Sequence, residues 1–371
     1  MTAYSKPTFS IIVPTRGRPV QLAACLDALC RLDFSSDQFE TIIVDDGSPI
    51  PMDDIVRPFG NLNRIVLLRT PHGGPAAARN IGAKEARGRF IAFTDDDCRV
   101  ASVWLKALSA RLERDANQMV GGPIINSLVN NHYAITSHVI LDSVYAYYNR
   151  RPESASFFAS NNMAMPTALF EAIGGFDASF PRAAAEDRDF CDRWRHAGQR
   201  MTYAPEAVVY HGHDLTFRSF VRQHFNYGSG AWQYHVRRGH RKSGRLRNDL
   251  YFHNQLPHLL LPSLSKLKPR QKVVVGGLLA VWQAANAAGF FWQALGSLKS
   301  TRRFRHDFHR EGQLKSESAV ASNGANGTNR FDNHSPERIH ARASTPKIYR
   351  PGKDPISNCP ACPCAENPQD R

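Results

Sequence analysis

The sequence predicts an α/β fold with a mostly parallel central sheet flanked by helices, and three observations carry that expectation. Short β-branched runs alternate with helical stretches through about residue 210. Several of those runs end in clusters of acidic or polar residues. Beyond Tyr210 the composition changes, so the sheet-forming part has a C-terminal limit. A length of 371 residues suits one large domain with appendages, or two domains. Its 42% hydrophobic and 22% charged residues exclude wholesale disorder, collagen and a coiled coil.

Taken in order, residues 10–13 read as a buried strand and 19–29 as a helix opened by Pro19. A second strand over 41–44 runs into Asp45-Asp46-Gly47-Ser48. The third covers 65–68, and Gly74-Pro75 opens a helix to about residue 86. The fourth, over 90–93, ends in Thr94-Asp95-Asp96-Asp97. Parallel strands need a crossover connection, and these intervals provide it. Ligand crevices in such sheets lie at the carboxyl ends of the strands, where these polar clusters would converge.

Charge divides the chain differently. The formal net charge is +14, and residues 215–310 hold 17 Lys/Arg against Asp249 and Asp307, which accounts for the whole excess. That segment should face something anionic: a phospholipid surface, a phosphorylated substrate or nucleic acid. Within it, 217–234 is aromatic and basic, 237–247 is a cationic run, and 256–264 is apolar and bounded by prolines. Residues 273–298 carry no charge at all and are long enough to span a bilayer, for which about 20 suffice. Gln283, Asn286 and Gln293 fall within an arc of roughly 80° on a helix there, a polar stripe that lipid would penalise. A membrane-embedded or interfacial helix and a soluble buried helix both fit this pattern. From about Glu311 the sequence reads as a disordered tail. The expected organisation is therefore a catalytic domain over 1–214, a helical, membrane-associating extension over 215–310 and a tail over 311–371.

The first apolar run, Phe9-Ser10-Ile11-Ile12-Val13-Pro14, is too short for a secretory signal core, so no leader is expected. Cys25, Cys30, Cys98 and Cys191 are scattered without a disulfide-like framework, which fits a reducing compartment. Cys359, Cys362 and Cys364 form half a metal-site pattern with no matching second half.

Asp95-Asp96-Asp97 is the strongest chemical signal. Three adjacent carboxylates repel one another, and a divalent cation shared with phosphates is the usual use of such a cluster. A solvated turn before the helix at 103–105 fits the residues as well. Asp45-Asp46-Gly47-Ser48 reads as an ordinary turn or as a ligand loop. Gly73-Gly74-Pro75 opens a helix whose N-terminus suits an anion. Glu186-Asp187 reads either as an acidic pair complementing a helix dipole or as a general base.

These motifs together resemble the inverting family 2 glycosyltransferases of the GT-A fold, a Rossmann-like architecture. The matching residues are Ile12-Val13-Pro14-Thr15-Arg16, Val44-Asp45-Asp46-Gly47-Ser48, Gly74-Pro75-Ala76-Ala77-Ala78-Arg79-Asn80 and Phe93-Thr94-Asp95-Asp96-Asp97. Ser160-Asn161-Asn162-Met163, Gly174-Gly175-Phe176-Asp177 and Ala185-Glu186-Asp187-Arg188-Asp189 come after them in the same order, over about residues 8 to 240. The resemblance implies that Asp46 binds the nucleotide base, with Pro14, Thr15 and Arg16 lining the pocket. It implies that Arg79 lies on the base and ribose side, and that Asp95 and Asp96 serve the ribose or the outer shell of a metal. Asp97 is implied as the direct ligand of a divalent metal, Mn2+ or Mg2+, with Asp95 and either His211 or His213 beside it, His211 favoured. Asp187 is implied as the base that deprotonates the acceptor hydroxyl, and Glu186 as its acceptor-side neighbour. The stretch where relatives often carry Tyr-Asn is here Thr15-Arg16-Gly17-Arg18, a departure that bears on base recognition.

The resemblance and the basic C-terminal segment together imply a metal-dependent, inverting transferase at the cytoplasmic face of a membrane, with an anionic membrane surface as one partner. It would use a nucleotide-sugar donor, UDP first and dTDP or GDP open, and a hydroxyl acceptor on a glycan or lipid-linked glycan, as in cell-surface polysaccharide synthesis. Two competing classes are a nucleic-acid binder using 215–310 and an inactive transferase-fold scaffold. No nucleic-acid motif appears and an uncharged stretch interrupts the basic segment, which disfavours the first. Asp95, Asp97 and Asp187 are intact, which disfavours the second.

Overall fold

The computed structural model describes residues 6–60, 64–180, 184–244, 246–322 and 347–349, with backbone alone for 246–250, 298–322 and 347–349. The chain opens with β1 (Phe9–Thr15), every residue of which is buried, and α1 (Pro19–Cys30), which Pro19 starts without a backbone donor to lose. Next come β2 (Phe39–Asp46), α2 (Asp53–Val56), β3 (Ile65–Thr70), α3 (Pro75–Lys84) and β4 (Phe90–Phe93). The middle of the chain holds β5 (Cys98–Val100), α4 (Trp104–Leu112), β6 (Gln118–Gly121), β7 (Ile124–Asn126), α5 (His132–Tyr148) and β8 (Met163–Pro166). After these stand α6 (Thr167–Ala172), α7 (Glu186–His196), β9 (Arg200–Tyr203) and β10 (Val209–His211). The extension comprises α8 (Phe217–Arg241), α9 (Leu246–Ser265) and α10 (Pro269–Ser322), with β11 (Lys347–Tyr349) beyond it.

The large sheet has the order β11-β3-β2-β1-β4-β8-β6-β9. Its centre, β3-β2-β1-β4, is parallel, while β8 runs antiparallel between β4 and β6. One apolar core, with Leu22, Leu26, Trp104 and Leu108, covers one face of the sheet, and a second, with Ala78, Phe170, Phe190 and Trp194, covers the other. Burial on both faces explains why β1 and β2 read as unbroken apolar runs rather than alternating ones. The expected strands and first helices match β1 to β4, α1 and α3. The expected mostly parallel sheet flanked by helices is the one observed, and an apolar C-terminal helix comes after it.

The small sheet β5-β10-β7 lies outside the expected strand pattern. Its strands are three residues long, and their pairing joins segments about a hundred residues apart. The antiparallel register sets His211 opposite Cys98, next to Asp97.

Composition changes between β10 and α8, and the three helices after it share a third apolar core with α5, built on Val139, Phe220, Phe252, Leu279 and Trp282. The tail boundary expected at 311 falls inside α10, whose backbone is helical to Ser322. Residues 323–346 and 350–371, including Cys359, Cys362 and Cys364, lie outside the described residues. Among the described residues, Cys25, Cys98 and Cys191 are free thiols.

Candidate active site

The carboxyl ends of β1, β2 and β4 bring Thr15, Asp45, Asp46 and Asp95 to Asp97 to one edge of the sheet. Asp96 is buried; Thr15 Oγ1 donates to its Oδ2 at 2.7 Å, and Arg18 Nη1 lies 3.1 Å from its Oδ1. Burial pushes the Asp96 carboxyl up to about 7, against the opposing pull of Arg18. Asp97 shares the same guanidinium nitrogen, with Arg18 Nη1 donating to its Oδ2 at 2.7 Å. Its Oδ1 lies 3.2 Å from His211 Nε2. Burial alone would raise the Asp97 carboxyl, but the His211 imidazole and Arg18 hold it well below the usual range.

Asp97, His211 and His213 form a group whose ligand atoms all lie within 4.8 Å of one another. One carboxylate and two imidazoles make a mixed oxygen and nitrogen donor set, which suits a divalent first-row metal. The residues therefore fit the implied cation, and both histidines join rather than one. Asp95 is not in this group. Arg79 Nη2 donates to its Oδ1 at 2.5 Å and draws it toward α3.

Arg79 is buried and links two halves of the site, with Nη1 3.6 Å from Glu186 Oε1 on α7. Its Nε is a buried donor without a partner, and Phe176 lies under the guanidinium at 5.8 Å. Thus Arg79 sits between the strand-end carboxylates and the acidic pair of α7. Ala185, in the left-handed region at φ 70°, precedes that pair. Burial, and then the neighbouring Asp187 charge, push Glu186 up to about 7, while Arg79 pulls it down. Burial likewise raises Asp187, whose Oδ1 accepts from the Arg188 backbone N–H at 2.7 Å. The two later aspartates of α7 serve packing: Asp189 and Asp192 pair with Arg241 of α8 at 2.8 and 2.9 Å.

Asp46 holds the β3–α3 loop, its carboxylate accepting from Gly73 N–H at 2.7 Å and Gly74 N–H at 3.0 Å, with His72 Nδ1 at 2.8 Å. Pro14 and Thr15 are buried at the end of β1, while Arg16 is exposed. Gly17, at φ 63°, turns the chain there, so Arg18 rather than Arg16 reaches Asp96 and Asp97. The asparagines of the later motifs are fasteners. Asn80 exchanges two hydrogen bonds with the Phe176 backbone, at 2.7 and 2.9 Å. Asn162 donates to the carbonyls of Pro123 and Ala207 and accepts from Trp104 Nε1.

Residues 10–174 match the family model "Glycosyl transferase family 2". They form a family 2 glycosyltransferase domain. Among curated proteins, the pre-mycofactocin glycosyltransferase of Mycobacterium tuberculosis is 31% identical over 230 residues, which are 60% of this chain and 46% of that protein. The chain thus spans about half the length of that relative. The mannosyltransferase PcManGT of Pyrobaculum calidifontis, solved with GDP-Man and Mn2+, superposes with a TM-score of 0.56 at 18% identity, covering 78% of this chain and 87% of that one. TarS 1-349 of S. aureus, solved with UDP-GlcNAc, superposes at 0.50 and 18% identity, covering 76% and 89%. Both likenesses establish the fold.

In this glycosyltransferase domain, sequence reasoning missed Arg18, although the spacing of Arg16-Gly17-Arg18 held the clue. A glycine between two arginines lets the loop aim only one of them inward. The joint placement of His211 and His213 had a weaker signal, since their alternation along one strand end does not say what stands opposite.

Proposed function

We propose that this chain is an inverting, metal-dependent glycosyltransferase, moving a sugar from a nucleotide-sugar to a hydroxyl acceptor. The observation that supports this best is the pairing of two acidic centres at one sheet edge. The Asp97-His211-His213 group stands on one side, and the Glu186-Asp187 pair, with Glu186 buried and joined through Arg79 to Asp95, stands on the other. Asp97, His211 and His213 would hold Mn2+ or Mg2+, which when bound supplies charge neutralisation for a diphosphate leaving group. Arg18 adds a fixed positive charge beside the same carboxylate. Pro14, Thr15 and Asp46 form the floor of the nucleotide pocket, and Asp95 and Asp96 meet the ribose side. Arg16, exposed beside them, stays in the proposed pocket as a rim residue.

On the acceptor side, Asp187 takes the hydroxyl proton as the acceptor oxygen bonds the anomeric carbon and the bond to the diphosphate breaks. Attack from the face opposite the leaving group inverts that carbon. Glu186 shares the acceptor pocket, and Arg79 favours the ionised forms of both carboxylates. A UDP-sugar is the first donor to test, and a glycan or lipid-linked glycan is the acceptor class, in cell-surface polysaccharide synthesis. Residues 1–214 would be the catalytic domain and 215–310 its extension at the cytoplasmic face of a membrane. A polyanion-binding role for the extension loses support because Arg237, Arg238 and Arg241 of its cationic run are engaged by Asp177, Asp192 and Asp189.

A screen of UDP-, GDP- and dTDP-sugars for hydrolysis and transfer, with manganese and with EDTA, tests this. The expected result is release from one donor, lost in EDTA. Undiminished turnover in EDTA would remove the metal, and no release from any donor would remove the activity.

A further inference from the structure

We infer that the outward face of α10 is a membrane-binding surface that lies in the plane of an anionic bilayer, and that residues 273–298 do not cross it. The inference rests on the proposed work at a membrane and states how the chain meets that membrane.

The uncharged stretch is divided lengthwise. At about 100° per residue, Val275, Leu278, Leu279, Trp282 and Ala285 share one side of the helix, and all are buried, the first four in the third core. The polar stripe lies on or beside that side, facing protein rather than lipid. Gln293 Oε1 accepts from Ser229 Oγ of α8 at 3.1 Å, and Trp232 Nε1 donates to Ser297 Oγ at 3.2 Å. The backbones of the two helices also touch. A Cβ on Gly228 would stand 1.9 Å from the Asn286 carbonyl oxygen, and one on Gly289 would stand 1.9 Å from that of Phe225. Spanning a bilayer would require this seam to open and would turn Gln283, Asn286 and Gln293 into lipid.

The opposite side is apolar and open. Val273 is 77% exposed, Phe291 63%, Trp292 71% and Leu295 59%, with Gly277 and Ala284 exposed between them. From Val273 to Leu295 this face runs about 33 Å without a charge. Such a length of open apolar surface marks an interaction site. The charge beside it identifies the partner. Lys266, Lys268, Arg270 and Lys272, all exposed, precede the apolar face directly. Cations at the end of an apolar face carrying Trp and Phe complement an anionic lipid surface, where headgroups meet the cations and acyl chains meet the rings. A second copy of this chain packed parallel would bring the same cations to the same place and repel, and one packed antiparallel would leave them without an anionic partner.

The test uses the full chain in flotation with sealed vesicles of phosphatidylcholine plus phosphatidylglycerol. Wild-type protein is expected to float, and Phe291→Ser/Trp292→Ser to partition at least about tenfold less, because two exposed aromatic rings that enter the bilayer are lost. Unchanged donor hydrolysis by the double variant in solution shows that the fold is kept. Tags at both ends, exposed to protease outside sealed inside-out membranes, read the topology. Removal of both supports an in-plane helix, and protection of one shows a crossing and overturns the inference. If wild-type protein ignores all vesicles, the membrane reading itself fails. If both proteins float equally, the membrane reading stands and this face is wrong. A wild-type dimer that the double variant dissolves, without flotation, assigns the face to a second copy and also overturns it.

Discussion

In the sheet domain charge goes inside, whereas along α10 apolar side chains go outside. Asp46, Arg79, Asp96 and Glu186 are all buried at one edge of the sheet, while Phe291, Trp292 and Leu295 stand open. Both departures run against the ordinary cost of burial, so each needs a compensating partner. At the sheet edge part of that compensation is internal: Arg18 serves Asp96 and Asp97, and Arg79 serves Asp95 and Glu186. It is incomplete, since burial still raises Asp96 and Glu186 to about 7. Along α10 no internal partner covers the open face among the described residues. The contrast teaches that the first region is built to receive charge and the second to receive apolar surface.

The comparison breaks most sharply at Asp187. Asp187→Asn should lower kcat by about 10²- to 10⁴-fold, the usual worth of a general base, and leave nucleotide affinity intact. Calorimetry with a nucleoside diphosphate checks it, and a large loss of affinity would move Asp187 to the donor side. Asp97→Asn should cost about 10²- to 10³-fold in transfer and weaken activation by manganese, with circular dichroism unchanged. A variant with wild-type metal response would remove Asp97 from the cation site.

Arg79→Met sharpens the claim that the sheet edge is internally compensated. The base must be ionised and burial raises the Asp187 carboxyl, so kcat should rise with pH along an acid limb lying above the ordinary carboxylate range and then level off. Arg79 lowers the Glu186 and Asp187 carboxyls, so its removal should move that acid limb upward. Leaving the buried Glu186 and the half-buried Asp95 without it should also cost about 3–5 kcal/mol of stability. A pH–rate profile and denaturant unfolding read the two effects, and an unmoved limb would reduce Arg79 to a packing role. The smallest change is expected at the helical seam. Gly228→Ala forces α8 and α10 apart and should loosen the extension by about 1–3 kcal/mol. Hydrogen exchange should then rise in α10 while nucleotide binding by the sheet domain stays unchanged; protection equal to wild type would mean that the seam is not tight.

The sequence by itself determined the parallel strands, their helices and the acidic clusters at their ends, because these depend on local period and on turn chemistry. It also located the uncharged stretch and its polar stripe, since both are properties of composition at helical spacing. It named Asp97, Asp187 and the two candidate histidines by motif order, without showing what each one touches. Tertiary structure decided those contacts. A three-residue strand pairing sets His211 beside Asp97 across more than a hundred residues, and no local period encodes that. The φ of Gly17 chose Arg18 over Arg16, and burial of Arg79 joined α3 to α7. Finally, the packing of α10 on α8 chose which side of a uniformly uncharged helix is core and which is surface. Apolar residues on both sides carry no label for that choice, which rests on glycine and glutamine contacts made only when the two helices meet.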